Sequence, residues 1–181
     1  KSIKGGIMEN LYNKTKFILK KYNISANKSL GQNFLINDSV VNKIVESAEI
    51  TKNDLVIEIG PGLGNLTEFL LEKAGKVIAI ELDQRMLEIL SKKKNSEIKN
   101  AKIVANLPYY ITTPIIMKLL EEKLDIETIT VMVQKEVADR LIAIPGEKLS
   151  GAITYSVYYY ATSENVTIVE NNSFIPEPEV D

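Results

Sequence analysis

The chain has 181 residues, of which 45% are hydrophobic, so it can bury the core of one domain. It contains no cysteine and no histidine, which excludes disulfides, a thiolate nucleophile, zinc held by cysteine or histidine, and a histidine general base. No membrane-spanning run and no secretory signal are found, so we expect a cytoplasmic protein whose difficult chemistry is carried by a cofactor.

The first thirty residues are basic, although the whole chain has a net charge of −2. They hold seven lysines against the single acidic residue Glu9, so the rest of the chain is acidic overall. A basic arm could follow the phosphates of a nucleic acid, while a solvated lysine-rich helix would give the same pattern. We therefore divide the chain into an N-terminal basic arm over 1–30 and a main domain over 31–181. Within the arm, we interpret 1–7 as residues left from cloning, ahead of a natural start at Met8.

From about Asp38 onward, helical and strand patterns alternate, which is typical of a parallel α/β sheet. The predicted strands cover 55–59, 76–81, 102–105 and 128–133. Two helices are predicted to begin at the caps Asp38 and Asp83, and a third at Thr113-Pro114. Two more helices are predicted to cover 66–73 and 135–142. Residues 155–162 and 166–170 are rich in β-favouring side chains and predict an antiparallel hairpin. The predicted fold is α/β and Rossmann-like, with a mostly parallel, doubly wound sheet that this hairpin closes.

The stretch 82–105 is short for the pattern around it. A crossover between parallel strands takes roughly a dozen residues or more, so this stretch has room for one helix and one strand but not for two such units. The motifs on both sides of it are in the expected order. Either the sheet lacks a strand or residues are missing from this stretch, and we therefore favour a segment that is missing within 92–101.

The segment Glu58-Ile59-Gly60-Pro61-Gly62-Leu63-Gly64 follows a predicted strand and opens a helix. Glycines at this place allow a tight turn and let a ligand lie against the backbone, so the candidate binding residues are Glu58, Gly60, Gly62 and Gly64. A dinucleotide fingerprint would need glycine where the chain has Asn65, and the charge of Glu58 disfavours a neighbouring pyrophosphate. A tight turn that binds no ligand would show the same glycines.

Glu81 ends the next predicted strand, 21 residues after Gly60. An acidic side chain at about that distance commonly accepts hydrogen bonds from the ribose hydroxyls of a nucleoside cofactor. The glycine segment and Glu81 together predict a nucleoside ligand, and they do not separate NAD from S-adenosylmethionine.

The segment Asn106-Leu107-Pro108-Tyr109 is similar to the N/D-P-P-Y/F signature of methyltransferases that act on amino groups. An exocyclic adenine amine is a weak nucleophile because its lone pair is delocalised into the ring. The Asn106 side-chain oxygen and the Leu107 carbonyl can accept hydrogen bonds from its N–H groups. Pro108 stiffens the turn, and Tyr109 offers a face on which a flipped-out base can stack. The segment favours S-adenosylmethionine over NAD, with a polar turn and a packing tyrosine as the alternative.

Further segments make residues 28–181 similar to a known family. They are Ser29-Leu30-Gly31-Gln32-Asn33-Phe34-Leu35, Val133-Gln134-Lys135-Glu136-Val137-Ala138-Asp139-Arg140-Leu141 and Phe174-Ile175-Pro176-Glu177-Pro178-Glu179-Val180. Together with the glycine segment and the motif at 106–114, they resemble the KsgA family of small-subunit ribosomal RNA adenine dimethyltransferases.

The resemblance implies a class I methyltransferase fold, with 31–181 as the catalytic domain and S-adenosylmethionine as the cofactor. The implied cofactor-binding residues are Gln32, Asn33, Leu35, Glu58, Gly60, Gly62, Gly64, Glu81 and Asn106, with Asn33 and Leu35 at the methionine end. The implied catalytic residues are Asn106, Leu107, Pro108 and Tyr109, and Phe174 would close on the target base opposite Tyr109. The implied reaction is N6-dimethylation of two adjacent adenosines near the 3′ end of small-subunit rRNA during ribosome biogenesis. We expect a monomer that needs no metal or membrane and has the small ribosomal subunit precursor as its partner.

Two departures from the family pattern bear on activity. The family's acidic contact to the cofactor adenine falls within the short stretch 82–105, and its C-terminal helical domain is not found before Asp181. Two alternatives stay open: a large-subunit rRNA adenine methylase that confers antibiotic resistance, and an impaired RNA-binding assembly factor with the same fold. Leu107 and the stretch 134–140 favour the small-subunit enzyme, and Asn65 disfavours an NAD oxidoreductase.

Overall fold

The computed structural model describes residues 10–26, 32–81, 98–122 and 124–178. The helices in these ranges are α1 Leu11–Lys21, α2 Asp38–Ser47, α3 Asn65–Lys73, α4 Thr112–Glu121, α5 Lys135–Ile142 and α6 Ala152–Tyr160. The strands are β1 Phe34–Leu35, β2 Leu55–Ile59, β3 Lys76–Ile80, β4 Ala101–Asn106, β5 Ile126–Met132 and β6 Phe174–Ile175, the last preceded by a 3-10 turn over Asn171–Ser173. The predicted helix with Asp83 as its cap, and the residues interpreted as left from cloning, lie outside these ranges.

Strands β2 to β5 form a parallel sheet, in the order β3-β2-β4-β5 among the described strands. Ile57 of β2 pairs with Ile78 of β3 on one side and with Ile103 of β4 on the other. The strand order therefore reverses at β2. Ligands of such sheets bind outside the carboxyl ends of the strands at this switch point. The segments that follow β2 and β4 consequently face one crevice.

Helices cover both faces of this sheet, because alternate residues of a strand point to opposite sides. Val56 and Val104 are buried in one cluster with residues of α2 and α3. Ile57 and Ile103 are buried in the other cluster, with residues of α4 and α6. Burying a side chain of this size stabilises the fold by about 1.5–3 kcal/mol. The predicted doubly wound parallel sheet is confirmed.

A second, two-stranded sheet joins the beginning and the end of the described domain. Strands β1 and β6 pair antiparallel, with Phe34 opposite Ile175 and Leu35 opposite Phe174. The Ile36 N–H also donates to the Ser173 carbonyl at 2.8 Å. This pairing holds together two segments that are distant in sequence, 32–35 and 174–178.

The predicted closing hairpin over 155–162 and 166–170 is wrong. Residues 155–160 belong to α6, and residues 161–170 form no regular helix or strand. The antiparallel pair in the structure is β1 with β6 instead.

The burial pattern of α6 explains this difference. Ile153 and Val157 are buried on one helical face, while Tyr155, Tyr158 and Tyr159 are exposed. The Thr154 hydroxyl donates to the Arg140 carbonyl at 2.6 Å, which ties the first turn of α6 to α5. Because the β preference of tyrosine is weak, these tertiary contacts determine the conformation.

The start of α2 also differs from the prediction in its cap. The Asn37 side chain accepts hydrogen bonds from the Ser39 and Val40 N–H groups at 3.1 and 3.4 Å, so Asn37 is the cap. The carboxylate of Asp38 accepts the Leu11 N–H at 3.2 Å instead, which holds α1 against α2. No helix in the described ranges is long and apolar enough to span a membrane.

Candidate active site

An open cleft of about 1170 Å³ runs along the carboxyl edge of the sheet and beside β5. The predicted site residues that line it are Gln32, Asn33, Leu35, Glu58, Gly60, Gly62, Glu81, Asn106, Leu107, Pro108, Tyr109 and Phe174. Gly64 is a predicted site residue that does not line the cleft, and it occupies the N-cap position of α3. The structure therefore brings together segments that lie far apart in the sequence.

Residues 60–64, the glycine loop, connect β2 to α3. Gly60, Gly62 and Gly64 have φ angles of 72°, 55° and 81°, which side chains with a Cβ rarely adopt. The Phe34 ring lies beside Gly62, at 3.8 Å from the place of an added Cβ. The Gly60 N–H donates to the Ile80 carbonyl at 2.9 Å, and this bond holds the loop beside Glu81, the residue that follows β3.

Glu58 is a buried carboxyl group in this cleft. Its side chain is only 1% exposed, and its Oε2 atom has no hydrogen-bond partner within the described part of the chain. Burial raises the pKa of Glu58, the Thr67 hydroxyl opposes this rise, and the charge of Glu81 adds to it. Because a buried carboxylate without a counter-charge is costly, the site suits a ligand that brings a positive charge.

Residues 106–109, the Asn106 loop, leave β4 at the other side of the switch point. Asn106 pairs with Met132 of β5, and the Leu107 N–H donates to the Met132 carbonyl at 3.1 Å. The Pro108 carbonyl accepts the hydroxyl of the buried Thr112 at 3.0 Å. Within the described residues, the Leu107 carbonyl accepts no backbone hydrogen bond, so it can serve as an acceptor for a ligand.

Tyr109 connects the Asn106 loop to the segment before β1. Its hydroxyl is hydrogen-bonded to the Asn33 side chain. Burial raises the pKa of Tyr109, and this hydrogen bond opposes the rise. Phe174 is held beside the same segment by its pairing with Leu35. Both aromatic residues predicted to stack on a base are therefore held beside the segment 33–35.

Asn65 has a positioning role that the sequence did not reveal. It is 5% exposed, and its Nδ2 donates to the Thr15 hydroxyl at 2.8 Å and to the Leu35 carbonyl at 2.7 Å. The first residue of α3 thus fastens both α1 and β1 to the glycine loop. Asn65 stands where a dinucleotide fingerprint has glycine, and this was the signal that could have pointed to a special role. The sequence does not show which distant residues the Asn65 amide contacts.

The sequence as a whole matches a known family. A family model described as ribosomal RNA adenine dimethylase matches residues 23–103 and 93–181. The chain belongs to this dimethylase family. Its relatives include the ribosomal RNA small subunit methyltransferase A of Bacillus pumilus, 46% identical over 193 residues that cover 93% of this chain and 66% of the relative. The protein of the same name from Clostridioides difficile is 46% identical over 194 residues, covering 94% and 67%.

Two solved structures resemble the fold of this chain. A dimethyladenosine transferase from Plasmodium falciparum has a TM-score of 0.69 and 34% identity, covering 82% of this chain and 59% of its own. The 23S rRNA methyltransferase ErmE has a TM-score of 0.67 and 29% identity, covering 82% and 66%. The chain spans about two thirds of the length of the curated relatives that it matches. The predicted resemblance to the KsgA family and the predicted Rossmann-like methyltransferase fold are confirmed.

Proposed function

We propose that this chain transfers methyl groups from S-adenosylmethionine to N6 of two adjacent adenosines near the 3′ end of small-subunit rRNA. The observation that carries the proposal is that the Asn106 loop and the buried Glu58, whose Oε2 has no hydrogen-bond partner among the described residues, lie in one cleft at the switch point of the sheet. Family membership and the names of the curated relatives support the reaction class and the ribosomal subunit.

The residues of the cleft fit S-adenosylmethionine. Glu58 offers a buried oxygen, without a hydrogen-bond partner in the part of the chain that the structure describes, to a positively charged group of the ligand. Gly60 and Gly62 have no side chains, so the ligand can lie close to their backbone. The Glu81 carboxylate can accept hydrogen bonds from the ribose hydroxyls of the ligand. Gln32, Asn33 and Leu35 would hold the methionine end. When bound, this cofactor supplies an electrophilic methyl group on a sulfonium sulfur.

The Asn106 loop would prepare the target amine for reaction. The Asn106 side-chain oxygen and the Leu107 carbonyl accept hydrogen bonds from the N6 amino group, so that its lone pair points toward the methyl group. Neither acceptor is charged, so they would orient the amine without first removing its proton. As the new C–N bond forms, the C–S bond would break to leave a neutral thioether, and the methylated nitrogen would then lose its proton to solvent. Fixed orientation of this kind can lower a reaction barrier by about 7–11 kcal/mol.

Tyr109 and Phe174 would hold the flipped-out adenine between them. Stacking of a base on an aromatic side chain contributes roughly 1–3 kcal/mol to binding. The hydrogen bond with Asn33 keeps the Tyr109 ring in place, and pairing with Leu35 does the same for Phe174. The base is then presented at the end of the cleft where the Asn106 loop can reach its amine.

We further propose that the chain lacks a segment of the family domain within 92–101. The two ranges matched by the family model overlap at 93–103. The alignment with the Bacillus pumilus relative is 193 residues long, yet it covers 93% of a chain of 181 residues, so it includes positions that this chain does not have. The family's acidic contact to the cofactor adenine would lie in such a segment.

The remaining proposals concern the state in which the chain works. A sulfonium methyl group is already electrophilic, so its transfer needs no metal ion as a Lewis acid. We propose that the chain works as a monomer in the cytoplasm. Its proposed partner is the small ribosomal subunit precursor, because that particle carries the substrate rRNA. Among the ranges that the structure describes, no group of three or more carboxylates could hold a metal ion.

Transfer of labelled methyl from S-adenosylmethionine to undermethylated small ribosomal subunits tests this function, with large subunits as the control. We expect label in adenines of the small subunit alone. The similarity to ErmE supports a second candidate, a large-subunit methylase, and label in large subunits would establish it. Label in neither particle would contradict the enzymatic proposal and favour an assembly factor that only binds RNA.

A further inference from the structure

We propose that the exposed side of α1 binds a single-stranded segment of the substrate RNA. This side, the α1 face, consists of Tyr12, Lys16, Phe17, Lys20, Lys21 and Tyr22. The inference rests on the proposed function, because the RNA in question is the proposed substrate. It adds a docking surface outside the cleft.

The charge of α1 fits a polyanion. The helix Leu11–Lys21 carries four lysines and no acidic residue, on a chain whose other residues are acidic overall. Lys14 pairs with Glu68 of α3, whereas Lys16, Lys20 and Lys21 lie in the α1 face and are exposed. Phosphates attract lysines in such a position, and the counterions that they release make the binding sensitive to salt.

Aromatic side chains alternate with these lysines. Phe17 and Tyr22 are 58% and 62% exposed, which leaves most of each ring in contact with solvent. The Lys21 Nζ atom lies 5.5 Å from the Phe17 ring centroid and 5.1 Å from that of Tyr22. An ammonium group beside an exposed ring can bind the phosphate of a nucleotide while the ring stacks on the base of the same nucleotide. Only unpaired bases can stack in this way, so the face suits single-stranded RNA.

The position of α1 ties this face to the active site. Thr15 accepts the buried hydrogen bond from Asn65, the residue that follows the glycine loop. The Leu11 N–H donates to Asp38 at the start of α2. A lysine-rich helix that only improved solubility would not need a buried polar anchor to the cofactor site. These contacts hold α1, and with it the α1 face, in a fixed position beside α2 and the glycine loop.

The experiment compares two triple variants of the full chain. The α1 variant carries Lys16→Gln, Lys20→Gln and Lys21→Gln, and the control variant carries Lys43→Gln, Lys73→Gln and Lys76→Gln at exposed positions outside α1. The probe is a labelled single-stranded RNA of about twelve nucleotides with two adjacent adenosines. Fluorescence anisotropy gives its Kd over a range of salt concentrations, while calorimetry gives the Kd of S-adenosylmethionine and thermal unfolding gives the Tm.

We expect the α1 variant to bind the RNA about ten-fold more weakly at 0.1 M salt. Its salt slope should fall by about two, since each phosphate contact in a single strand contributes about 0.7. The control variant should change the Kd less than about two-fold, and neither variant should change cofactor binding or Tm. Phe17→Ser with Tyr22→Ser should also weaken RNA binding but leave the salt slope unchanged.

Equal losses in the α1 and control variants would overturn the inference, because they would show a general charge effect. Unchanged RNA binding in the α1 variant would overturn it as well. Both results leave the proposed function intact as long as the wild-type chain binds this RNA and transfers methyl groups to small subunits. A wild-type chain that does neither would overturn the proposed function together with the inference.

Discussion

Asn106 is the residue on which the proposed chemistry depends most. It ends β4, and its main chain is held by the pairing with Met132. The side chain lines the cleft with Glu58 and the glycine loop. Its predicted role requires a side-chain oxygen near the target amine, and that role concerns the substrate more than the cofactor.

Asn106→Ala should lower kcat by about 10²–10³, the usual loss when one positioned hydrogen-bonding group is removed from the transition state. The Kd of S-adenosylmethionine should change less than about three-fold. Single-turnover methyl transfer and calorimetry measure these two quantities. Asn42→Ala, at an exposed position of α2, is the matched control and should leave both unchanged. Turnover near the wild-type rate in the Asn106 variant would remove Asn106 from the mechanism.

Glu58 makes a prediction about pH. Burial raises its pKa above the ordinary value of 4.5, so the folded chain binds this proton more tightly than the unfolded chain does. Without cofactor, the free energy of unfolding should therefore fall as the pH rises from 4.5 through the raised pKa. Glu58→Gln should remove this loss, giving a higher Tm than wild type at neutral pH together with weaker binding of S-adenosylmethionine.

Thermal unfolding of the cofactor-free chain from about pH 4 to pH 8 checks this prediction. Glu72→Gln, at an exposed position of α3, serves as the control and should follow the wild-type curve. Wild-type and Glu58→Gln curves that stay parallel over the whole range would show that Glu58 does not titrate as proposed.

At the scale of elements, strong local patterns predicted the structure well. The apolar run 55–59 predicted β2, and the helix over 135–142 has the predicted bounds. Residues 155–160 have side chains that favour strands, yet they form a helix. Their conformation depends on Ile153, Val157 and Thr154 meeting α5 and the core, and such contacts cannot be found from local preference.

Gly75, in the turn before β3, lies very close to the backbone of the turn before β2. A Cβ at this position would lie 2.1 Å from the Lys52 carbonyl oxygen, which is backbone and cannot move aside easily. Gly75→Ala should therefore lower the free energy of unfolding by about 1–3 kcal/mol. Gly151→Ala, where an added Cβ meets nothing within 4 Å, should cost less than about 1 kcal/mol. Urea denaturation measures both, and equal effects would contradict this reading of Gly75.

At the scale of the whole molecule, the sequence predicted most of the cleft but not what holds it together. Most of the predicted site residues line it because motifs after parallel strands meet at one edge of the sheet. The Asn65 contacts to Thr15 and Leu35 join segments 50 and 30 residues away. Such long-range hydrogen bonds leave no periodic pattern in a sequence.

The proposed missing segment has a testable consequence. Inserting the corresponding residues of the Bacillus pumilus relative within 92–101 should restore the acidic contact to the cofactor adenine. We expect the Kd of S-adenosylmethionine to fall at least about ten-fold, since a hydrogen bond to a charged group contributes about 1.5–3 kcal/mol. Calorimetry measures this, with a glycine-serine insert of equal length as the control. Equal affinity for the two inserts would contradict the proposal.

The proposed function depends on the Asn106 loop directing methyl transfer to adenine N6. The most direct measurement is mass spectrometry of nucleosides from undermethylated small-subunit RNA, after reaction with S-adenosylmethionine and either wild-type chain or Asn106→Ala. We expect N6,N6-dimethyladenosine with the wild-type chain and almost none with the variant. Methylation of another base or of ribose, or equal dimethyladenosine from both proteins, would contradict it.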